Sequence, residues 1–306
     1  MIFTILLLAC SDDAPEEAVE DTATDTDLPS EDAPYLAEPD ESTAPDFISD
    51  DVAAAVEGAL LLITQLDVGP IVSVYSALLA QSDSTCPLWS DYKGTPLWYD
   101  TCTADAGVSF SGYGLTQPWE GTDDGSGNRW WGTQIYSIAT ITDADGQVLT
   151  TGGSVASLTG VSADGAALIY ALIEGSFSWD GPEAAGTWLD WGSTPSITWF
   201  SLRDPDSGGQ VITVSGAITI DDGPIAAVVL DNIYLTDELL GSSCGEEPSG
   251  TISVLDSDGR WYDLIFDGPT DAVPEVAAGV CDGCATVWYR GSPLGEACVD
   301  FSILRS

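Results

Sequence analysis

Six cysteines carry most of the chemistry this chain could do: Cys86, Cys102, Cys244, Cys281, Cys284 and Cys298. A seventh, Cys10, stands apart near the start. Cys281-Asp282-Gly283-Cys284 has the C-x-x-C spacing of a redox pair, but no strand–helix pattern surrounds it. The last four thiols do not suit zinc either. Intervals of 36, 2 and 13 residues are not the two close pairs of a tetrahedral thiolate site. An even number of cysteines in an exported domain reads as three disulfides. Cys86 and Cys102 lie close together and far from the rest, so they are expected to pair. The remaining four allow three connectivities, and their order in the chain does not choose among them.

Histidine is absent, which removes Ser-His-Asp and Cys-His catalysis and every imidazole-ligated metal. Lys93 sits in Ser90-Asp91-Tyr92-Lys93-Gly94-Thr95-Pro96, which reads as an exposed loop and not a buried base. Carboxylates remain. Glu174, Glu183 and Asp190 offer pairs for glycoside hydrolysis, but fifty acids make any such choice nearly arbitrary. Asp143/Asp145, Asp204/Asp206 and Asp256/Asp258 have the alternate-oxygen spacing of calcium loops. None continues into a twelve-residue loop closed by glutamate, so they are read as turns, with a weak calcium site as the alternative. No catalytic residue, metal ligand or cofactor is assigned. Eleven tryptophans are the other resource. Trp188, Trp191 and Trp199 gather near an expected bend and are the candidates for stacking on sugar rings, against the alternative of interior packing. Trp130-Trp131 must face opposite ways in a strand, leaving one exposed.

The elements that would position these residues follow from periodicity. Val52–Leu66 is rich in alanine and leucine behind Ser49-Asp50-Asp51, a capped helix start with an acidic first turn. Gly69-Pro70 breaks it. Residues 71–81 suit a second helix or a strand. From about Gly107 the period is two: Ile212, Val214, Gly216, Ile218 and Ile220 form one face of a strand, as do Ala167, Ile169, Ala171, Ile173, Gly175, Phe177 and Trp179. Asp-Gly turns separate such segments at Asp143–Gly146, Ala163–Gly165, Asp180-Gly181, Asp221–Gly223 and Asp256–Gly259. The strands look long, several running about 13–15 residues between turns, against a usual ~5–6. Gly152-Gly153, Gly175, Gly192 and Gly216 interrupt them, as bends or bulges do. The expected fold is mainly β: a long curved antiparallel meander, barrel-like or half-barrel, with one or two N-terminal helices filling its inner side. A membrane-spanning barrel fits poorly, since acids crowd the turns and no aromatic girdle emerges.

Six basic residues against fifty acidic ones give a net charge of −44. Ser11–Asp51 holds 16 of those acids, no base and five prolines. It cannot bury enough apolar surface to offset its ordering entropy, and its charge extends it. The rest carries 34 acids against 6 bases, or −28. Nucleic acid is excluded as a partner, because no basic patch exists to displace counterions. Anionic membrane surfaces are disfavoured for the same reason.

The chain begins with an apolar run, Ile2–Ala9, too short to span a bilayer. Leu7-Leu8-Ala9-Cys10 resembles the lipobox of bacterial lipoproteins. That resemblance implies that 1–9 is a signal peptide, that Cys10 carries a diacylglycerol, and that 10–50 is a tether before a single disulfide-containing domain over 51–306. Ser11 after the cysteine implies sorting to the outer membrane of the cell envelope, with the lipid as the sole membrane contact. Three function classes follow. The leading one is a non-enzymatic binding or structural lipoprotein. The second is a carbohydrate-binding or glycoside-hydrolase-like module built on Trp and carboxylates. The third carries an apolar ligand within the curved sheet.

Overall fold

In the computed structural model, residues 49–182, 195–220, 224–242, 244–277 and 281–305 are described. Helix α1 (Ser49–Thr64) buries Val52, Val56, Ala59, Leu60 and Ile63, the one-sided stripe of an amphipathic helix. Asp67 Oδ1 accepts the Gly69 amide at 2.8 Å, and Pro70 opens α2 (Gly69–Leu79), where the missing N–H costs nothing. The run Ser49–Leu79 is long and apolar enough to cross a membrane by length and composition. It is instead two helices whose inner faces pack against a sheet.

That sheet has 13 antiparallel strands in sequential order, joined neighbour to neighbour throughout. The first three strands are β1 (Leu88–Tyr92), β2 (Thr95–Thr103) and β3 (Ser109–Asp123). The long middle strands are β4 (Arg129–Thr142), β5 (Val148–Val161) and β6 (Ala167–Trp179). Then come β7 (Ser196–Arg203), β8 (Gln210–Thr219) and β9 (Ile225–Thr236), followed by β10 (Ser249–Asp256), β11 (Trp261–Asp267), β12 (Cys284–Tyr289) and β13 (Ser292–Cys298). The sheet is open: its order starts at β1 and stops at β13, with no pairing between them. The meander is therefore the half-barrel form of the expectation and not a closed barrel.

The turns explain why the order is so simple. Gly107, Gly146, Gly165 and Gly259 each donate their amide to the carbonyl three residues earlier, at 2.8–3.2 Å. All four have φ near +90°, which glycine adopts at little cost. Asp143 Oδ1 accepts the amides of Asp145 and Gln147, and Asp256 Oδ1 accepts those of Asp258 and Arg260. The aspartates of these turns thus hold backbone in place. Asp221–Gly223 and Gly192 lie outside the described residues.

The main core joins both helices to one face of the sheet, with Trp98, Phe110, Ile135, Ile141, Leu149, Ile173 and Ile212 among its fully buried side chains. The C-terminus is tied in as well. Glu57 on α1 accepts the Asp300 amide at 3.0 Å, and Arg305 donates to the carbonyls of Thr236 and Gly245. Three disulfides link Cys86 to Cys102, Cys244 to Cys281 and Cys284 to Cys298. Cys281 and Cys284 thus bond to different partners, so the C-x-x-C segment is structural. Cys284 and Cys298 face each other in register across β12 and β13.

One face of β6 does not stay buried along its length, contrary to the simple alternating reading. Ile173, Phe177 and Trp179 join the main core, but Leu168, Tyr170 and Leu172 are buried on the opposite face. The buried face changes in β5 too, from Leu149 and Val155 to Ala156 and Leu158. The reason is reach. A 16-residue helix is ~24 Å long, whereas a 14-residue strand is ~48 Å. The half beyond the helices must bury apolar surface elsewhere. It does so in a second cluster of Trp130, Ala156, Leu158, Leu168, Tyr170 and Leu172. The rings of Trp130 on β4 and Phe200 on β7 lie 6.5 Å apart, though their backbones are three strand spacings of ~4.8 Å apart. The sheet therefore curls towards this opposite face at its far end. Gly153 and Gly175 pair at the changeover. A Cβ on Gly175, whose φ is +101°, would sit 2.3 Å from the Gly152 carbonyl.

Candidate binding face

Where α1 and α2 cover one face of the sheet, no α-helix among the described residues lies on the other. The registers lay its side chains out in rows. One row runs Leu88, Tyr99, Tyr113, Ile138 across β1 to β4, each directly opposite the next. These four are between 37% and 47% exposed. A parallel row runs Leu97, Leu115, Tyr136, Ser154, Glu174 from β2 to β6. The rings of Tyr113 and Tyr136 lie 6.2 Å apart and are tilted by 47°, so the strip twists with the sheet.

Beside this strip the face turns to hydroxyls. Thr101, Ser111, Thr140, Thr150 and Ser178 form a row across β2 to β6, and Thr103, Ser109 and Thr142 form the next. Thr103 Oγ1 and Ser109 Oγ are 2.9 Å apart, and Thr101 Oγ1 and Ser111 Oγ are 3.4 Å apart. A shallow depression of about 260 Å3 lies over these residues. Of all the side chains named in the four rows, Glu174 alone is charged. On a domain of net −28 this is a broad field with one charge at its β6 end.

Trp199 is half-buried on β7 and packs against the main core. Trp188, Trp191, Glu183 and Asp190 lie outside the described residues. Trp130 is buried and Trp131 is 43% exposed on the other face, as their adjacency requires. Lys93 is exposed at the β1–β2 turn with φ +52°. Among the turns read as calcium loops, Asp204 Oδ1 accepts from the amides of Asp206 and Ser207 and from the Ser207 hydroxyl. The first aspartate of each such turn is thus occupied by its own backbone. Those bonds, with Ser207 foremost, hold Asp204 below the ordinary carboxylate range. Among the described residues no three acids or thiols gather as a metal would need.

Two buried polar arrangements stand apart from the face. Tyr75 on α2 accepts a hydrogen bond from Trp98 Nε1 at 2.7 Å, between two buried side chains. Burial pushes the tyrosine hydroxyl up, and the bonds from Trp98 and Ser137 oppose that. Glu247, also buried, accepts the amides of Asp267 and Asp282 at 3.3 and 3.1 Å. Burial raises its pKa and the neighbouring Asp267 carboxyl adds to the rise, against the two amides. Glu247 thereby fastens the β9–β10 connection to the β11–β12 connection, as the Cys244–Cys281 bond does.

Attention to tryptophan missed the tyrosine strip. Its signal lies in the strand period: the outward set of β2 reads Thr95, Leu97, Tyr99, Thr101, Thr103, and that of β4 reads Tyr136, Ile138, Thr140, Thr142. Comparison with family models, with curated proteins and with solved structures finds no match for this chain.

Proposed function

We propose that this is an exported lipoprotein of the cell envelope, anchored at the outer membrane through Cys10, whose domain binds a partner without transforming it. The observation that carries the binding reading is the filled inner side of the sheet. The helices α1 and α2 pack on the face of the sheet where an apolar cargo would otherwise lie, and a carrier requires several hundred Å3 of open apolar volume. Binding is then left to outward surfaces. The turn aspartates support the same reading, since they are individually capped by amides and not set in pairs of contrasting environment, as carboxylate catalysis requires. The lipobox and the acidic segment after it support the anchor.

Fractionation of cells expressing the full chain tests the anchor. The full chain should sediment with membranes, and Cys10→Ala should move it to the soluble fraction. A Cys10→Ala protein that stays in the membrane pellet would overturn the anchor.

A further inference from the structure

We propose that the face of β1 to β6 opposite α1 and α2 is a binding site for a neutral polysaccharide chain, with Tyr99, Tyr113 and Tyr136 stacking on its sugar rings and the rows of threonine and serine bonding its hydroxyls. This rests on the binding reading above and names its ligand class.

Three observations converge. First, the rings are exposed in a place where burial was available. Trp98, one residue from Tyr99, is fully buried, and Phe110 lies in the same core. A contiguous exposed aromatic and aliphatic strip marks an interaction surface, and tyrosine suits one because its ring is apolar and its tip polar. Second, the strip borders eight hydroxyl side chains on the same face, each both donor and acceptor. A pyranose presents the complement: apolar C–H faces and a rim of hydroxyls. A purely apolar partner would cover hydroxyls whose remaining donor and acceptor positions it cannot meet, and a purely polar one would leave the tyrosines wet. Third, the field carries a single charge, Glu174 at its β6 end, within a domain of 34 acids and 6 bases. That charge repels polyanions and anionic lipid surfaces, and it equally opposes a second copy of this chain. A neutral glycan is the occupant that meets all three conditions. The 47° tilt between Tyr113 and Tyr136 suits a single twisted chain and not the flat surface of a crystalline polymer.

The test is affinity electrophoresis of the full chain, held in neutral detergent, through native gels containing amylose, dextran, hydroxyethylcellulose or galactomannan. Gels containing alginate serve as the polyanion arm. At least one neutral polymer should retard the protein, equally at low and high salt. Tyr99→Ala and Tyr113→Ala should each weaken retardation about tenfold (about 1.4 kcal/mol), while Tyr113→Phe keeps it. These side chains are exposed, so the variants should melt as the parent does, which a thermal scan checks. Failure of every neutral polymer to retard the protein overturns the proposal. So does retardation by alginate instead, retardation unchanged in both alanine variants, or self-association that Tyr113→Ala abolishes. Release of reducing ends from a retarding polymer would overturn the non-enzymatic reading and leave the face standing. An anchor that fails the fractionation test would likewise leave it standing.

Discussion

Replacing Tyr75 with phenylalanine removes one oxygen from the seam between α2 and the sheet. Trp98 is fully buried and its indole N–H donates to that oxygen. The substitution strands the donor where water cannot reach it. Leaving a buried donor unmade costs about 1–3 kcal/mol. At about 2–4 °C per kcal/mol for a domain of this size, a loss of about 2 kcal/mol lowers the melting temperature by roughly 4–8 °C. The same change made with Trp98→Phe already present strands no indole donor and removes only the bonds with Ser137 and Thr116, so the two losses should not fully add. The coupling expected for a contacting pair is about 1–2 kcal/mol. Urea unfolding of the four oxidised proteins, followed by far-UV circular dichroism, measures the cycle. Alkaline pH gives an independent arm. Burial raises the folded pKa of Tyr75 above its ordinary value of 10.0, so its contribution is complete below pH 10 and is lost as pH climbs through the folded value. Parent and Tyr75→Phe curves should therefore converge above pH 10. A Tyr75→Phe protein within 0.5 kcal/mol of the parent (about the limit for an ordinary surface change), or strictly additive losses, would refute the argument.

Glycine gives a prediction of opposite sign at two sites. Gly175→Ala puts a Cβ 2.3 Å from a backbone carbonyl at φ +101° and should cost several kcal/mol or prevent folding. Gly58→Ala, on α1 with no atom within 4 Å of the new carbon, should raise stability by about 0.5–1 kcal/mol; thermal melts decide both. Glu247 makes a pH prediction. Its pKa is raised from 4.5, by burial first and Asp267 after it, so the stability it contributes is complete below that value and falls as pH rises through the folded pKa. Asp267→Asn removes the neighbouring carboxyl and should flatten the fall in melting temperature above pH 4.5; an unchanged slope would show that the pair is not coupled.

What the sequence made legible was local. The turns at Asp143–Gly146 and Asp256–Gly259 announce themselves by residue type, because only certain side chains cap an amide and only glycine takes φ near +90° cheaply. The lengths of β3 to β6 followed from turn spacing, and the pairing of Cys86 with Cys102 followed from proximity along the chain. What stayed hidden was set by register and reach. Leu168, Tyr170 and Leu172 are as apolar as Ile169, Ala171 and Ile173, so alternation alone could not show that the buried face changes near residue 172. That change depends on where the helices end. The disulfide between Cys284 and Cys298 needs β12 and β13 to be aligned, and nothing in the spacing of the last four cysteines supplies that alignment. The candidate face was missed for a related reason. Trp98 and Tyr99 are neighbours in sequence, and the one-residue step between them separates core from solvent.

The acidity of the domain bears directly on how such a face can exist. Exposed leucine, isoleucine and tyrosine in one patch normally invite self-association, and β1 adds an edge paired on one side only. The acids counter this from the strand ends. Asp83, whose carboxylate accepts the amides of Asp105, Thr85 and Cys86, is held at about 2, with the Asp105 amide the largest cause. Asp164, bonded by the Ser162 hydroxyl, is also lowered. Acids held low stay ionised across the range in which the protein would work, so like charge keeps copies apart while the neutral rows stay open. In the proposed reading, a neutral chain approaches without meeting that repulsion, and a polyanion or a second copy does not.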